Sequence, residues 1–387
     1  MKEGDFTMVF GFPGRTTEYL GAAVVKQVMT VSDPAKIEIR AKVLQVLKGF
    51  MRSDEHIKIQ YAAKYASIEN YYKKWQGEVL GLTSSKAVEK KLAFESGFEQ
   101  RINANPVWKS SYGNLLPDLT KAYEEIEPYS HARDYFNEIV PRIELLGIAA
   151  DMNSLITAFS KDEATYLKKK DDVIKKLTET FKEFNAKVDR KVFEPLMELY
   201  ITKQEPVYVS SAVKQLLSDN AQSYTKAADY IYSNTAFLSL EKINTLLEGP
   251  APEVITRIKE DVAGKLYSDM VKTYTTSVSP KLNETQAKIN QLQRKYMEAQ
   301  LEVYKEKTFY PDANSTLRVT YGKVNGYKPK DAVQYNYYTY MDGIMEKYVP
   351  GDYEFDVPEK LISLYKAKDF GQYGENGRQP AKINIIV

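Results

Sequence analysis

The sequence predicts an α+β, mainly α fold in which a large multi-helix domain lies between strand segments, and three observations predict it. Apolar residues recur at spacings of three and four from about residue 20 to about residue 307. After Phe309-Tyr310-Pro311-Asp312 the spacing changes to two. The chain also opens on a strand-like apolar run only a few residues after Met1. The predicted division is therefore a strand segment at 1–20, a helical domain at 21–307 and a second β segment at 308–387.

Taken in order, Phe6-Thr7-Met8-Val9-Phe10-Gly11-Phe12 reads as a fully buried strand, which needs a partner elsewhere because one strand cannot pair its own backbone. Phe12-Pro13-Gly14-Arg15 reads as a turn, with Gly14 at positive φ. Asp33-Pro34 predicts a helix start, with Ile39, Val43, Val46, Leu47 and Phe50 as its apolar stripe. Tyr61, Tyr65, Ile68, Tyr72, Trp75 and Val79 form an aromatic seam on a second helix. Ser160-Lys161-Asp162-Glu163 fits a capping box, followed by Leu167, Ile174, Leu177, Phe181, Phe184 and Val188 at heptad spacing. Leu282, Ile289, Leu292, Tyr296, Ala299 and Val303 give a similar seam before the period changes. No fixed-period repeat is present, so a solenoid is not expected. Leu317, Val319 and Tyr321 then alternate with polar residues, and Asn325-Gly326 predicts a hairpin turn. An aromatic run at Tyr335 to Tyr340, a short helix behind Pro358, a Gly-rich loop from Gly371 to Gly377 and a terminal apolar run, Ile383 to Val387, complete the chain.

Composition excludes several chemistries. With no Cys there is no disulfide framework, thiolate metal site or cysteine nucleophile, and a histidine base could only be His56 or His131. A net charge of +2 gives no footprint for nucleic acid or an anionic membrane, and no stretch is long and apolar enough to cross a bilayer. The first thirty residues lack the order of a signal peptide. No metal or cofactor is expected.

Both histidines are placed near helix starts, as surface or capping residues, and no Gly-framed serine stands in the chain. Gly322-Lys323-Val324-Asn325-Gly326 reads as turn chemistry rather than a phosphate loop. Glu124, Glu125 and Glu127, Asp171-Asp172 and Lys168 to Lys170 read as solvated helix faces. The 30 Tyr against 15 Phe suit a core, a domain interface or a ligand lining. Asn70 stands two positions from Ile68, about 200° around the helix from the aromatic seam, which leaves its neutral amide free to face something other than the core.

Three blocks carry a family resemblance: Gly4 to Thr16, Tyr310 to Gly322, and Asp369-Phe370-Gly371. In that order and separation they resemble the bacterial serine dipeptidyl peptidases of the dipeptidyl-peptidase seven and eleven type, along essentially the whole chain. The resemblance implies a chymotrypsin-like double β-barrel with a large helical domain inserted into it, a Ser-His-Asp triad on the barrels, and release of dipeptides from a free peptide N-terminus. In that family the triad His and Asp precede the Gly-Asp-Phe-Thr strand, and the nucleophile follows the Asp-Phe-Gly block in a Gly-Gly-Asn-Ser-Gly-Ser-Pro loop. None of those elements occurs in the 387 residues, and the tail after Arg378 departs from the family pattern.

One functional residue carries over. Ser67-Ile68-Glu69-Asn70-Tyr71 matches the context of the family's helical-domain Asn that helps bind the substrate's α-amino group, so the resemblance assigns amine recognition to Asn70. The expectation is an internal fragment of a serine exopeptidase that holds the helical cap and adjacent strands of an incomplete barrel and is inactive alone. Its partners would be an oligopeptide with a free N-terminus and the missing barrel segments, with no nucleic acid and no membrane. The resemblance also implies a periplasmic or cell-surface location in a Gram-negative bacterium and leaves room for a homodimer of the parent enzyme. A non-catalytic helical peptide- or protein-binding protein is the alternative of a different class; a glycan-binding scaffold has only the aromatic content in its favour.

Overall fold

The computed structural model describes residues 2–352, 354–374 and 380–381. The terminal run Ile383 to Val387 and the end of the Gly-rich loop lie outside the described residues. The chain divides into two compact units, one formed by Met1–Glu18 with Tyr310–Val387 and the other by Tyr19–Phe309.

In the first unit, β1 (Phe6–Gly11) pairs antiparallel with β2 (Arg318–Lys323), in a register that sets Phe6 opposite Lys323 and Gly11 opposite Arg318. The two strands are about three hundred residues apart in sequence, so the first block finds its partner near the start of the β-rich tail rather than in a local hairpin. β3 (Tyr327–Lys330) pairs with β4 (Val333–Tyr335), and β5 (Thr339–Tyr340) with β6 (Pro380–Ala381). Three separate two-stranded sheets result among the described residues. Two short helices, α16 (Met341–Lys347) and α17 (Glu359–Ala367), accompany them.

Three readings of this unit are corrected. The opening strand is not buried: Phe6, Met8, Val9, Phe10 and Phe12 are 48–71% exposed, because β1 has one partner strand and no layer of described residues covers its faces. Gly14 does not adopt positive φ; the segment stays extended, with Pro13 carbonyl accepting from Ser315 N–H (3.0 Å) and Arg15 bridging to Asn314. Asn325-Gly326 does not close a hairpin, since β2 and β3 belong to different sheets. The hairpin turn is Asp331-Ala332, with Ala332 at φ 59°. Gly326 serves close approach instead, for a Cβ there would lie 2.3 Å from the Tyr335 carbonyl oxygen.

The second unit is helical. Its elements are α1 (Ala22–Gln27), α2 (Asp33–Ser53), α3 (Glu55–Ser84), α4 (Ala87–Ala104), α5 (Pro106–Tyr112), α6 (Leu115–Ile139), α7 (Glu144–Phe159), α8 (Glu163–Glu183) and α9 (Ala186–Thr202). They are followed by α10 (Ser211–Asp219), α11 (Tyr224–Asn234), α12 (Leu240–Leu246), α13 (Ala251–Glu260), α14 (Val262–Thr273) and α15 (Ser279–Val303). α7 is apolar nearly all round and sits in the core, with Leu145, Leu146, Ala149, Met152 and Leu155 fully buried. Val188, Val192, Phe193, Leu196 and Tyr200 of α9 pack in the same cluster, as do Ile39, Val43 and Leu47 of α2. Phe98, Ile102, Tyr112, Leu115, Tyr296 and Val303 form a second cluster, where the seam of α15 meets α4, α5 and α6.

Asp33-Pro34 does not start a helix. A π-helical turn, Val28–Ser32, joins α1 to α2 without a break, and the Asp33 N–H reaches back five residues to the Val28 carbonyl. The proline has no N–H for the carbonyl four residues before it, and one wide turn lets the helix pass the ring. The same device recurs at Tyr274–Val278, two residues before Pro280. The capping box is also displaced: Asp162, not Ser160, caps α8, accepting from Thr165 N–H at 2.6 Å. The heptad seam is interrupted as well, because Asn185 caps α9 and breaks the run between Phe184 and Val188. The buried face of α8 is Tyr166, Val173 and Leu177, while Leu167 is half exposed.

Candidate functional site

α3 begins where the Asp54 carboxylate accepts from the N–H groups of His56 (2.8 Å) and Ile57 (3.2 Å). Its buried face is the predicted seam, with Tyr61, Ile68 and Trp75 covered and Tyr65 and Tyr72 half-buried. Asn70 points away from that face and is exposed, and among the described residues no side-chain hydrogen bond engages its amide.

The turn that carries Asn70 is fixed from beneath by Arg40 of α2, which is 4% exposed. Its Nε and Nη2 form a fork on Glu138 of α6, at 2.8 and 3.1 Å, and its Nη1 donates to the Ile68 carbonyl at 3.1 Å. The guanidinium also lies over the rings of Trp75 (4.5 Å) and Tyr71 (5.3 Å). One cation thus holds α2, α3 and α6 together on either side of Asn70 in sequence. An exposed amide on a rigid helix can offer its oxygen to an ammonium group at a fixed place.

A second polar cluster lies deeper. Asp189 of α9, 1% exposed, takes the place of a missing local cap on α7, accepting from Glu144 N–H (2.7 Å) and Leu145 N–H (2.9 Å) as well as from the Tyr232 hydroxyl. Glu144 in turn accepts from Tyr61 Oη (2.8 Å) and Lys64 Nζ (2.6 Å). Burial, reinforced by the Glu144 charge, pushes the Asp189 carboxyl up to about 7. Tyr61 and Tyr232 are held neutral by burial and by these carboxylates. The tyrosine surplus is partly accounted for here: Tyr61 on Glu144, Tyr112 on Glu302, Tyr135 on Glu38 and Tyr232 on Asp189 bury a ring and spend the hydroxyl on a carboxylate.

The histidines are far from any triad arrangement. His56 is exposed in the first turn of α3. His131 is not at a helix start but midway along α6, half-buried, its ring against that of Tyr135 with centroids 4.7 Å apart and planes tilted by 42°. It lines a cavity of about 690 Å³ with Glu38, Glu127, Lys203 and Tyr208, and burial pulls its pKa down. Neither imidazole has a hydrogen bond to a described carboxylate. Among the described residues no group of three or more His, Asp or Glu is placed to hold a metal, and no helix is long and apolar enough to cross a membrane.

Arg40, Glu138, Glu144 and Asp189 were not visible as a set in the sequence. Arg40 and Glu138 stand 98 positions apart and Glu144 and Asp189 45, so no local spacing signals either pair. A lone Arg on the apolar side of the α2 stripe was the one available sign.

The sequence model of a family described as Peptidase S46 matches residues 1–386. An Asp/Glu-specific dipeptidyl-peptidase of Flavobacterium psychrophilum is 48% identical over 98% of this chain and 53% of its own length. A protein of the same description from Capnocytophaga gingivalis is 43% identical, again over 98% of this chain and 53% of its own. The crystal structure of Porphyromonas endodontalis DPP11 in complex with the dipeptide Arg-Glu superposes with a TM-score of 0.79 at 26% identity, covering 98% of this chain and 54% of the other. The chain spans about half the length of the curated relatives it matches.

Proposed function

The chain belongs to the peptidase S46 family, and from that premise we propose that it forms part of a serine-type exopeptidase that releases dipeptides from the free N-terminus of peptides. The single observation that carries this reading is the 48% and 43% identity to two Asp/Glu-specific dipeptidyl-peptidases across nearly the whole of this chain. The same two relatives favour an acidic residue before the cleaved bond. In this proposal the helical unit limits access to peptide ends and binds their α-amino group through Asn70, whose support is the Ser67 to Tyr71 context, its exposure and the Arg40 anchor.

The half of the relatives' length that this chain does not span would supply the triad and the remaining barrel strands. The apolar side chains exposed on both faces of the β1–β2 ribbon support such a cover. The 387 residues alone are then silent toward dipeptidyl chromogenic substrates, and turnover by the purified chain sinks this part of the proposal. A periplasmic or cell-surface location and a homodimeric parent enzyme belong to the same reading, and are checked by fractionation and by light scattering.

Asn70 is tested in a polypeptide of the relatives' full length. An ammonium group hydrogen-bonded to a neutral amide contributes about 1.5–3 kcal/mol, so Asn70→Ala lowers kcat/KM for free-amine substrates by about 10- to 100-fold. N-acetylated substrates, which lack the ammonium, are not affected. Equal kinetics of the variant and the parent with free-amine substrates removes Asn70 from the site.

A further inference from the structure

Asn325-Gly326 joins β2 to β3 outside any ladder, and the Asn325 side chain is exposed. The Gly326 N–H makes no bond to the backbone; it donates to Oδ1 of Asn325 at 2.8 Å. The main-chain nitrogen therefore already stands beside the side-chain carbonyl of the residue before it, and these are the two groups that must meet to close a five-membered ring. Gly326 leaves that approach open, because it carries no Cβ to crowd the attacking nitrogen. Among the described residues Nδ2 of Asn325 has no partner, so nothing retains it as a leaving group. The connector is tied on both sides. Val324 donates to the Asp5 carbonyl (2.9 Å) and accepts from the Gly4 N–H (2.8 Å), while Tyr327 pairs with Tyr335 and Gly326 lies against the Tyr335 carbonyl.

We propose that Asn325 is a self-modification site, which loses its side-chain amide to solvent and becomes aspartate or isoaspartate. The Gly326 nitrogen gives up its proton to solvent and bonds to Cγ of Asn325. The Cγ–Nδ2 bond breaks, and Nδ2 takes up a proton and leaves as ammonia. Water then opens the resulting succinimide at either carbonyl. Nothing is oxidised or reduced, and solvent water is the co-reactant. Opening on one side restores the ordinary linkage as aspartate; opening on the other routes the main chain through Cβ and Cγ as isoaspartate. The isoaspartate lengthens the backbone by one carbon between two tied points, so Val324 cannot keep its bonds to Gly4 and Asp5 while Gly326 keeps its place against Tyr335. The β3–β4 hairpin then loosens. Aspartate adds the same negative charge without the extra carbon and leaves the hairpin in place. The site is independent of the amine-recognition role of Asn70.

The test is to age the purified chain in mildly alkaline buffer and to map it by peptide mass spectrometry. Isoaspartate is read separately, by methyl transfer from labelled S-adenosylmethionine with an isoaspartyl methyltransferase. The peptide containing Asn325 changes from amide to carboxyl mass ahead of every asparagine not followed by glycine, and the change speeds up with pH because the nucleophile is the deprotonated amide. A second Asn-Gly pair, Asn376-Gly377, lies outside the described residues, so both readouts are taken on the isolated peptide containing residue 325. Asn325→Gln, which would have to close a larger, six-membered ring, loses the conversion over the same period with the melting temperature unchanged. Aged parent protein is cleaved near residue 326 earlier than fresh protein, and unaged Asn325→Asp is not, which separates the lengthened main chain from the added charge. An amide still intact at Asn325 after the time in which most of a synthetic peptide of residues 320–330 has converted overturns the inference. Conversion to aspartate with no isoaspartate, or equal cleavage of aged and fresh protein, overturns it as well.

Discussion

Replacing Arg40 by Met tests whether the anchor beneath Asn70 holds the helical unit together. The substitution keeps an unbranched stem of similar reach but removes the fork on Glu138, the donor to the Ile68 carbonyl and the cation over Trp75 and Tyr71. Glu138 is then left 13% exposed with only the 3.6 Å contact to Arg142. Removing one partner of such a buried pair costs about 3–5 kcal/mol, and the lost cation–π contacts add about 1 more. Partial capture of Glu138 by Arg142 offsets some of this, so about 3 kcal/mol is the expected loss. For a helical unit spanning Tyr19–Phe309 that lowers the melting temperature by roughly 5 °C. The assay is urea and thermal unfolding followed by tryptophan fluorescence, because both tryptophans, Trp75 and Trp108, lie in the helical unit and report on it alone. Arg40→Lys keeps the charge but not the fork, and recovers less than half of the loss. Removing both charges with Arg40→Met and Glu138→Leu together recovers much of it, because no buried charge is then left unpaired. A single-variant loss under about 1 kcal/mol, or a double variant no more stable than Arg40→Met, refutes the argument.

Three further outcomes follow from the same contacts. The Asp189 carboxyl is raised in the folded chain, so the stability it contributes is full below the unfolded value near 3.8 and is lost as pH rises through about 7. The stability of the parent relative to Asp189→Asn therefore falls by a few kcal/mol between pH 4 and 7, measured by urea midpoints; a flat difference contradicts the buried, proton-holding carboxyl. Asp54→Ala removes the acceptor of the His56 and Ile57 N–H groups and costs about 1 kcal/mol, with amide exchange accelerated in the first turn of α3 and not at Asn70. Gly326→Ala places a Cβ against the Tyr335 carbonyl oxygen and loosens the β3–β4 hairpin, read as earlier proteolytic cleavage near residue 326 with tryptophan fluorescence unchanged.

What could be read from the sequence was what is periodic. The seams of α2, α3 and α15 are buried or half-buried at the predicted positions, and the mainly helical character with few strands follows from the same spacing. What could not be read depends on partners distant along the chain. Asp33-Pro34 has every local mark of a helix start, yet the apolar contacts of α1 and α2 keep the helix continuous and a π turn absorbs the proline. Asn325-Gly326 has the composition of a hairpin, but β2 is already paired to β1 from the start of the chain, so the dipeptide becomes a connector. The candidate site divides in the same way. The off-seam exposure of Asn70 was legible because a helical angle is local, whereas Arg40, Glu138 and Asp189 act across helices and carry no spacing signature. The amine-recognition role proposed for Asn70 and the fixation of its turn by the buried Arg40 cation are therefore separable by mutation. Asn70→Ala changes the first without unfolding, and Arg40→Lys changes the second without touching the amide, so kinetics of the two variants in a full-length polypeptide should split. A raised KM with an unchanged melting temperature is expected for Asn70→Ala, and a lowered melting temperature with KM unchanged for Arg40→Lys.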